Sequence, residues 1–110
     1  MGEEFRSIAL TEAEFQHAIG LLLTQRREAP ASADNIASVV VDDGDMATAR
    51  VALKTPLVDG RSEIALETGE IVEAFILFCR DRVIPLPRNG RKTVVRRKDR
   101  VILEIELDWF

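Results

Sequence analysis

The amino-acid sequence predicts a small α+β protein, an antiparallel sheet of about four strands with two helices packed on one face, in the order α-β-β-α-β-β. Two observations support this prediction. Two segments have helical periodicity, and several shorter runs consist of alternating or β-branched residues. Because the strands come in consecutive pairs, antiparallel pairing is favoured over a parallel sheet. With 110 residues and no long linker, residues 1–110 are expected to form a single domain.

The first helix is predicted over residues 12–28. Thr11 and Glu14 have the spacing of a capping box, in which each residue's side chain accepts a hydrogen bond from the other's backbone amide. Pro30 disfavours helical geometry in the residue before it and so ends the helix. Residues 1–10 show no clear period and are interpreted as a lead-in segment. The apolar positions that recur at helical spacing are Phe15, Ala18, Ile19, Leu22 and Leu23.

The next two strands are predicted to form a hairpin. Residues 36–41 are rich in β-branched side chains, and residues 46–53 alternate between small or apolar and polar positions. Between them, residues 42–45 read Asp-Asp-Gly-Asp, which is typical of a turn. A further short strand is allowed around residues 63–66.

Residues 70–82 fit two secondary structures. As a helix, the segment has Thr68 as a cap, Glu70 and Glu73 in its early turns and one broad apolar face. As a strand, its aromatic and β-branched residues would be buried on both faces of a sheet. The cap, the acidic residues in the first turns and the helical spacing of the apolar residues together favour the helix.

The last third of the chain is predicted to end in a second hairpin. Two prolines within residues 83–87 exclude a central strand and a continued helix, so this stretch is expected to be an extended connector. Residues 89–90 read Asn-Gly, a strong turn signal, and residues 93–95 form a short strand. After a turn near Asp99, residues 101–108 alternate between apolar and mostly acidic positions.

The C-terminus closes on two aromatic residues, Trp109 and Phe110. Chain ends are often mobile, so two large aromatic side chains there are expected either to cover the core or to form part of an interface. We also expect the last strand to be an exposed sheet edge, open to pairing with a second copy of the chain.

The charge of the chain is unevenly distributed. Residues 80–100 hold nine basic and two acidic residues, a net charge of +7, whereas the rest of the chain sums to −11. Three interpretations remain open: the basic segment binds an anion such as nucleic acid, pairs with acidic surface within the chain or across a homodimer, or is merely a solvated hairpin. The candidate anion- or partner-binding residues are Arg88, Arg91, Lys92, Arg96, Arg97, Lys98 and Arg100.

No residue pattern points to catalysis. The single histidine, His17, has Gly20 and Leu21 three and four positions on, and neither can act as acid, base or metal ligand. The single cysteine, Cys79, lies within the apolar face of the second helix, where a small core residue is expected. We therefore predict a protein without enzymatic activity, cofactor or bound metal.

The N-terminus is acidic and lacks the basic and apolar regions of a signal peptide, and the apolar runs are far shorter than a membrane-spanning helix requires. A cytoplasmic protein is expected. The sequence favours protein–protein interaction or homodimerisation as the function. The alternative is anion or nucleic-acid binding by the basic hairpin, residues 88–100, mainly through phosphate because residues 80–100 contain no aromatic side chain for base stacking.

Overall fold

The computed structural model describes residues 2–26, 33–42, 46–87 and 90–109. The α+β class and the order of the predicted elements are confirmed, but six strands are present where about four were expected. A short 3-10 helix precedes the second strand. The elements are β1 (Gly2–Thr11), α1 (Glu12–Gln25), β2 (Ile36–Asp42), β3 (Thr48–Leu53), β4 (Glu63–Leu66), α2 (Thr68–Asp81), β5 (Arg91–Arg97) and β6 (Arg100–Trp109).

The strands form two antiparallel sheets of three strands each. The terminal sheet has the order β1-β6-β5, and the middle sheet has the order β2-β3-β4. The residues of the predicted turns at 43–45 and 89 lie outside the described residues, but the strands on either side of 43–45 pair as the hairpin prediction requires.

The N-terminal segment corrects two predictions. Residues 1–10 were expected to be a lead-in, yet Gly2–Thr11 is a strand of ten residues that pairs with β6 along its whole length. The last strand was expected to be a sheet edge, yet β6 lies between β1 and β5. Both errors have one cause: the partner of β1 is at the far end of the chain, and local sequence carries little information about such pairing.

The first helix begins where the sequence indicates, directly after its cap at Thr11. At α1, Thr11 Oγ1 accepts a hydrogen bond from the Glu14 amide at 3.1 Å, and the Glu14 carboxylate accepts one from the Thr11 amide at 3.0 Å. The bond from the Thr11 amide to the carboxylate is the main cause that holds the pKa of Glu14 below its ordinary value. The helix ends at Gln25, three residues earlier than predicted.

The ambiguous segment is the helix α2. Glu67 stands at its cap position, and the Glu67 amide donates to the Glu70 carboxylate at 2.9 Å. Thr68, predicted to be the cap, instead donates its hydroxyl to the Ala47 carbonyl. Neither described helix is long and apolar enough to span a membrane.

The helices hold the two sheets together. They pack against each other, α1 contacts strands β1, β6 and β2, and α2 contacts β3 and β5. Buried residues from all of these elements and from β4 form one cluster, in which the rings of Phe15 and Phe75 lie 5.9 Å apart. The largest fully buried side chains are Phe15, Phe75, Phe78, Ile19, Leu22, Leu23, Leu66, Ile71, Leu103, Ile105, Val51 and Val94.

Candidate functional site

The basic residues singled out by sequence lie along the β5–β6 hairpin but do not share one face. Alternation along β5 puts Lys92 and Arg96 on the side of the buried Val94, and Arg91 and Arg97 on the opposite side. Arg88 lies outside the described residues. The other six are Arg91, Lys92, Arg96 and Arg97 in β5, Lys98 in the turn and Arg100 at the first position of β6.

Three of these arginines have a carboxylate of the same chain within 4 Å. All the side chains involved are substantially exposed, so each pair contributes only about 0–1 kcal/mol to stability, but each also offsets a positive charge. Arg91 and Lys98 form no ion pair within the described part of the chain. The pairs are Arg96 with Glu12 at 3.9 Å, Arg97 with Glu104 at 3.9 Å and Arg100 with Asp99 at 3.8 Å.

The predicted aromatic interface is only partly described. Trp109 occupies the last position of β6, where its backbone is paired with Gly2 of β1. The Trp109 side chain and the whole of Phe110 lie outside what the structure describes.

Strand β1 forms an edge of the terminal sheet that the sequence did not indicate. Among the described residues, β6 is the strand that pairs with β1, and the other side of β1 forms an edge of the terminal sheet. Phe5 is 68% exposed there, a large value for an aromatic side chain within a strand. Edge strands of this length carry backbone N–H and C=O groups that can pair with another chain.

At the C-terminal end of α2 the chain reverses its direction. Residue Val83 follows the α2 cap with a φ of 56°, and its amide donates to the Arg80 carbonyl at 3.2 Å. The amide of Ile84 donates to the Cys79 carbonyl at 2.7 Å. This pair of bonds is a Schellman motif, which usually has glycine where Val83 stands. The motif ends α2 and directs residues 84–87 back along the helix.

Residues 84–87, which turn back after Val83, form one wall of a cavity of about 410 Å³. The Cys79 side chain is 1% exposed at its floor, and burial raises the pKa of the thiol. Sequence reasoning missed this cavity because its walls meet only after the reversal at Val83. The lining residues are Ile76, Cys79, Arg80, Ile84, Leu86, Pro87 and Lys92.

Replacing Val83 by asparagine is expected to raise the free energy of unfolding by about 1 kcal/mol, because a β-branched residue at positive φ is strained and asparagine tolerates that conformation. The Val83 side chain is 87% exposed, so little packing is lost. Urea unfolding followed by circular dichroism measures the change. Val58→Asn is the matched control, since Val58 is 99% exposed and has no positive φ. Equal midpoints for Val83→Asn and the parent protein would contradict the strain argument.

The histidine has a partner that its own helix does not supply. His17 Nε2 lies 3.6 Å from an Asp81 carboxylate oxygen at the end of α2, and the imidazole ring lies edge-on to Phe78 at 6.2 Å. The Arg82 guanidinium lies 5.0 Å from the centre of the Phe78 ring. Because His17 and Asp81 are both exposed, the arrangement is that of a weak surface pair between the two helices.

Within the described residues, no group of three or more His, Cys, Asp or Glu side chains is placed to hold a metal ion. Comparison of the chain with protein-family models, with curated proteins and with solved structures gives no match.

Proposed function

We propose that this protein acts through protein association, as a homodimer in which the β1 edges of two copies pair antiparallel. The observation that carries the proposal is the position of a ten-residue strand at an edge of the terminal sheet, with exposed Phe5 near its middle. Pairing two such edges would join the two terminal sheets into one sheet of six strands and satisfy the backbone groups of both.

The charges along β1 support a particular register. When the two-fold axis passes between the two copies of Phe5, Glu4 of each strand stands opposite Arg6 of the other. Directly opposed opposite charges and aromatic pairs each stabilise antiparallel strands by about 0.2–1 kcal/mol. The strand is therefore complementary to itself, as an isologous interface requires.

The β1 edge is a better candidate than the basic segment for this association. Three of the arginines in that segment already have carboxylates of their own chain nearby, and Arg91 and Lys92 lie on opposite faces of β5. A docking site for a separate acidic surface would instead need its cations gathered on one side. The basic hairpin remains the site of the alternative function, anion binding.

Cross-linking tests the dimer and its register together. In the proposed register two Phe5→Cys residues face each other at a Cα separation of about 5 Å, within the range of a disulfide. Two Ser7→Cys residues would be four positions out of register, about 13 Å apart, so this exposed neighbour is the matched control. Mild oxidation is expected to link Phe5→Cys into a covalent dimer much faster than Ser7→Cys. The native Cys79 is buried and does not interfere.

A charge exchange tests the interface without new thiols. Arg6→Glu would set like charges opposite each other at two places and is expected to weaken the dimer about tenfold. Adding Glu4→Arg to the same chain restores complementarity and should recover the affinity. Sedimentation velocity over a range of concentrations measures both changes. A parent protein that stays monomeric at tens of micromolar, or a double variant no tighter than Arg6→Glu, would refute the proposal.

The alternative function has its own measurement. Fluorescence anisotropy with labelled single-stranded and duplex DNA at low salt tests anion binding. Reversing the charges of Arg96, Arg97 and Lys98 would abolish a phosphate-directed interaction and would leave β1 pairing unchanged. Salt-sensitive binding that this triple variant loses, in a protein that does not dimerise, would favour the alternative.

A further inference from the structure

The cavity at the end of α2 combines an apolar interior with positive charge. Ile76, Ile84 and Leu86 contribute aliphatic surface, and the raised pKa of Cys79 keeps that thiol neutral. No acidic side chain is among the lining residues, although the chain as a whole carries a net charge of −4. The volume of about 410 Å³ lies in the range of small-molecule sites.

Two cations border this apolar interior from different elements. Arg80 comes from the last turn of α2, is exposed, and makes no ion pair with the described residues. Lys92 comes from β5, is half-buried, and its ammonium group lies 3.5 Å from the Gly90 carbonyl. A half-buried lysine and a nearby arginine together favour a ligand that carries negative charge.

The C-terminal end of α2 does not oppose the binding of a negatively charged ligand. Unpaired carbonyl groups at a helix end carry partial negative charge and would repel an anion. Here the carbonyl groups of Cys79 and Arg80 accept the hydrogen bonds of the Schellman motif, and the Phe78 carbonyl accepts from the Arg82 amide at 3.0 Å. The groups that border the cavity are therefore already engaged.

We propose that the cavity binds a small carboxylate with an apolar tail, with the carboxylate between Arg80 and Lys92. The tail would lie against Ile76, Ile84 and Leu86. A neutral apolar ligand would make no ion pair with Arg80, and a small anion without a tail would leave the aliphatic surface in contact with water. This site is independent of the β1 edge and does not rest on dimerisation.

Decanoate is a suitable probe, with decanol as the uncharged tail and acetate as the tail-less anion. Titration of the ¹⁵N-labelled 110-residue protein is expected to give saturable amide shifts in residues 76–87 and at Lys92 for decanoate. Decanol should bind at least about tenfold more weakly, because one or two charge-assisted hydrogen bonds are lost. Acetate should give no saturable shift.

Charge-neutralising variants locate the carboxylate. Arg80→Gln and Lys92→Gln are each expected to weaken decanoate binding about tenfold while leaving decanol binding unchanged. Arg97→Gln, on the same hairpin but outside the cavity, is the matched control and should bind like the parent. Equal affinities for decanol and decanoate, shifts that do not saturate, or variants that bind decanoate as well as the parent would overturn the proposal.

Discussion

Replacing Phe75 by alanine is expected to lower the free energy of unfolding by about 3–5 kcal/mol. The Phe75 side chain is fully buried in the middle of α2, and its ring packs at 5.9 Å from that of Phe15 in α1. Because α1 and α2 together contact strands of both sheets, a cavity at this position weakens the layer that joins the sheets. Few side chains among the described residues are both as large and as fully buried as that of Phe75.

Urea unfolding followed by circular dichroism at a fixed protein concentration measures the effect of Phe75→Ala. The control is Val58→Ala, since the Val58 side chain is 99% exposed and its truncation should change stability by less than about 0.5 kcal/mol. Phe75→Leu provides a milder variant in case the alanine variant does not fold. A loss below 1 kcal/mol in Phe75→Ala would mean that the two helices do not share the core described above.

Replacing Gly90 by alanine is expected to cost about 3 kcal/mol, the second-largest effect. Gly90 has a φ of 124°, a conformation that residues with a side chain rarely adopt. A Cβ atom there would stand 2.7 Å from Leu107 Cδ2 and 2.9 Å from the backbone oxygen of Glu106. The backbone oxygen cannot retreat without disturbing β6, which pairs on both sides.

The matched control for Gly90→Ala is Gly69→Ala. Gly69 lies in the first turn of α2, and a Cβ atom there meets nothing within 4 Å. Alanine is the better helix former, so Gly69→Ala is expected to stabilise the protein by up to about 1 kcal/mol. Thermal and urea unfolding of the two variants should therefore shift in opposite directions. Equal shifts would contradict the close approach of Gly90 to β6.

The elements that could be predicted are those whose signals are local. The capping box of Thr11 and Glu14 and the apolar spacing after it lie within a few residues of one another, and α1 begins where they indicate. The helix over residues 70–82 was also predictable, because the order of its charges and its apolar period agree over one short segment, although its cap is Glu67 and not the expected Thr68. The final strand follows the same rule, since its alternating residues are neighbours in the sequence.

The candidate sites were predictable to a smaller extent. Sequence places the basic residues on a hairpin, but the carboxylates near Arg96 and Arg97 come from α1 and β6. The partner of His17 is Asp81 of α2, 64 residues away along the chain. The cavity depends on the positive φ of Val83, and valine gives no indication of such a turn.

The amino-acid sequence by itself therefore determined the fold class, both helices, the hairpins and the uneven charge. Only the tertiary structure decided that residues 2–11 are a strand, that β6 is central and that the strands divide into two sheets. The physical reason is the range of the interactions. Helix caps and turns form between near neighbours, whereas Gly2 pairs with Trp109 across nearly the whole chain, and that pairing is stable only on a core to which every element contributes.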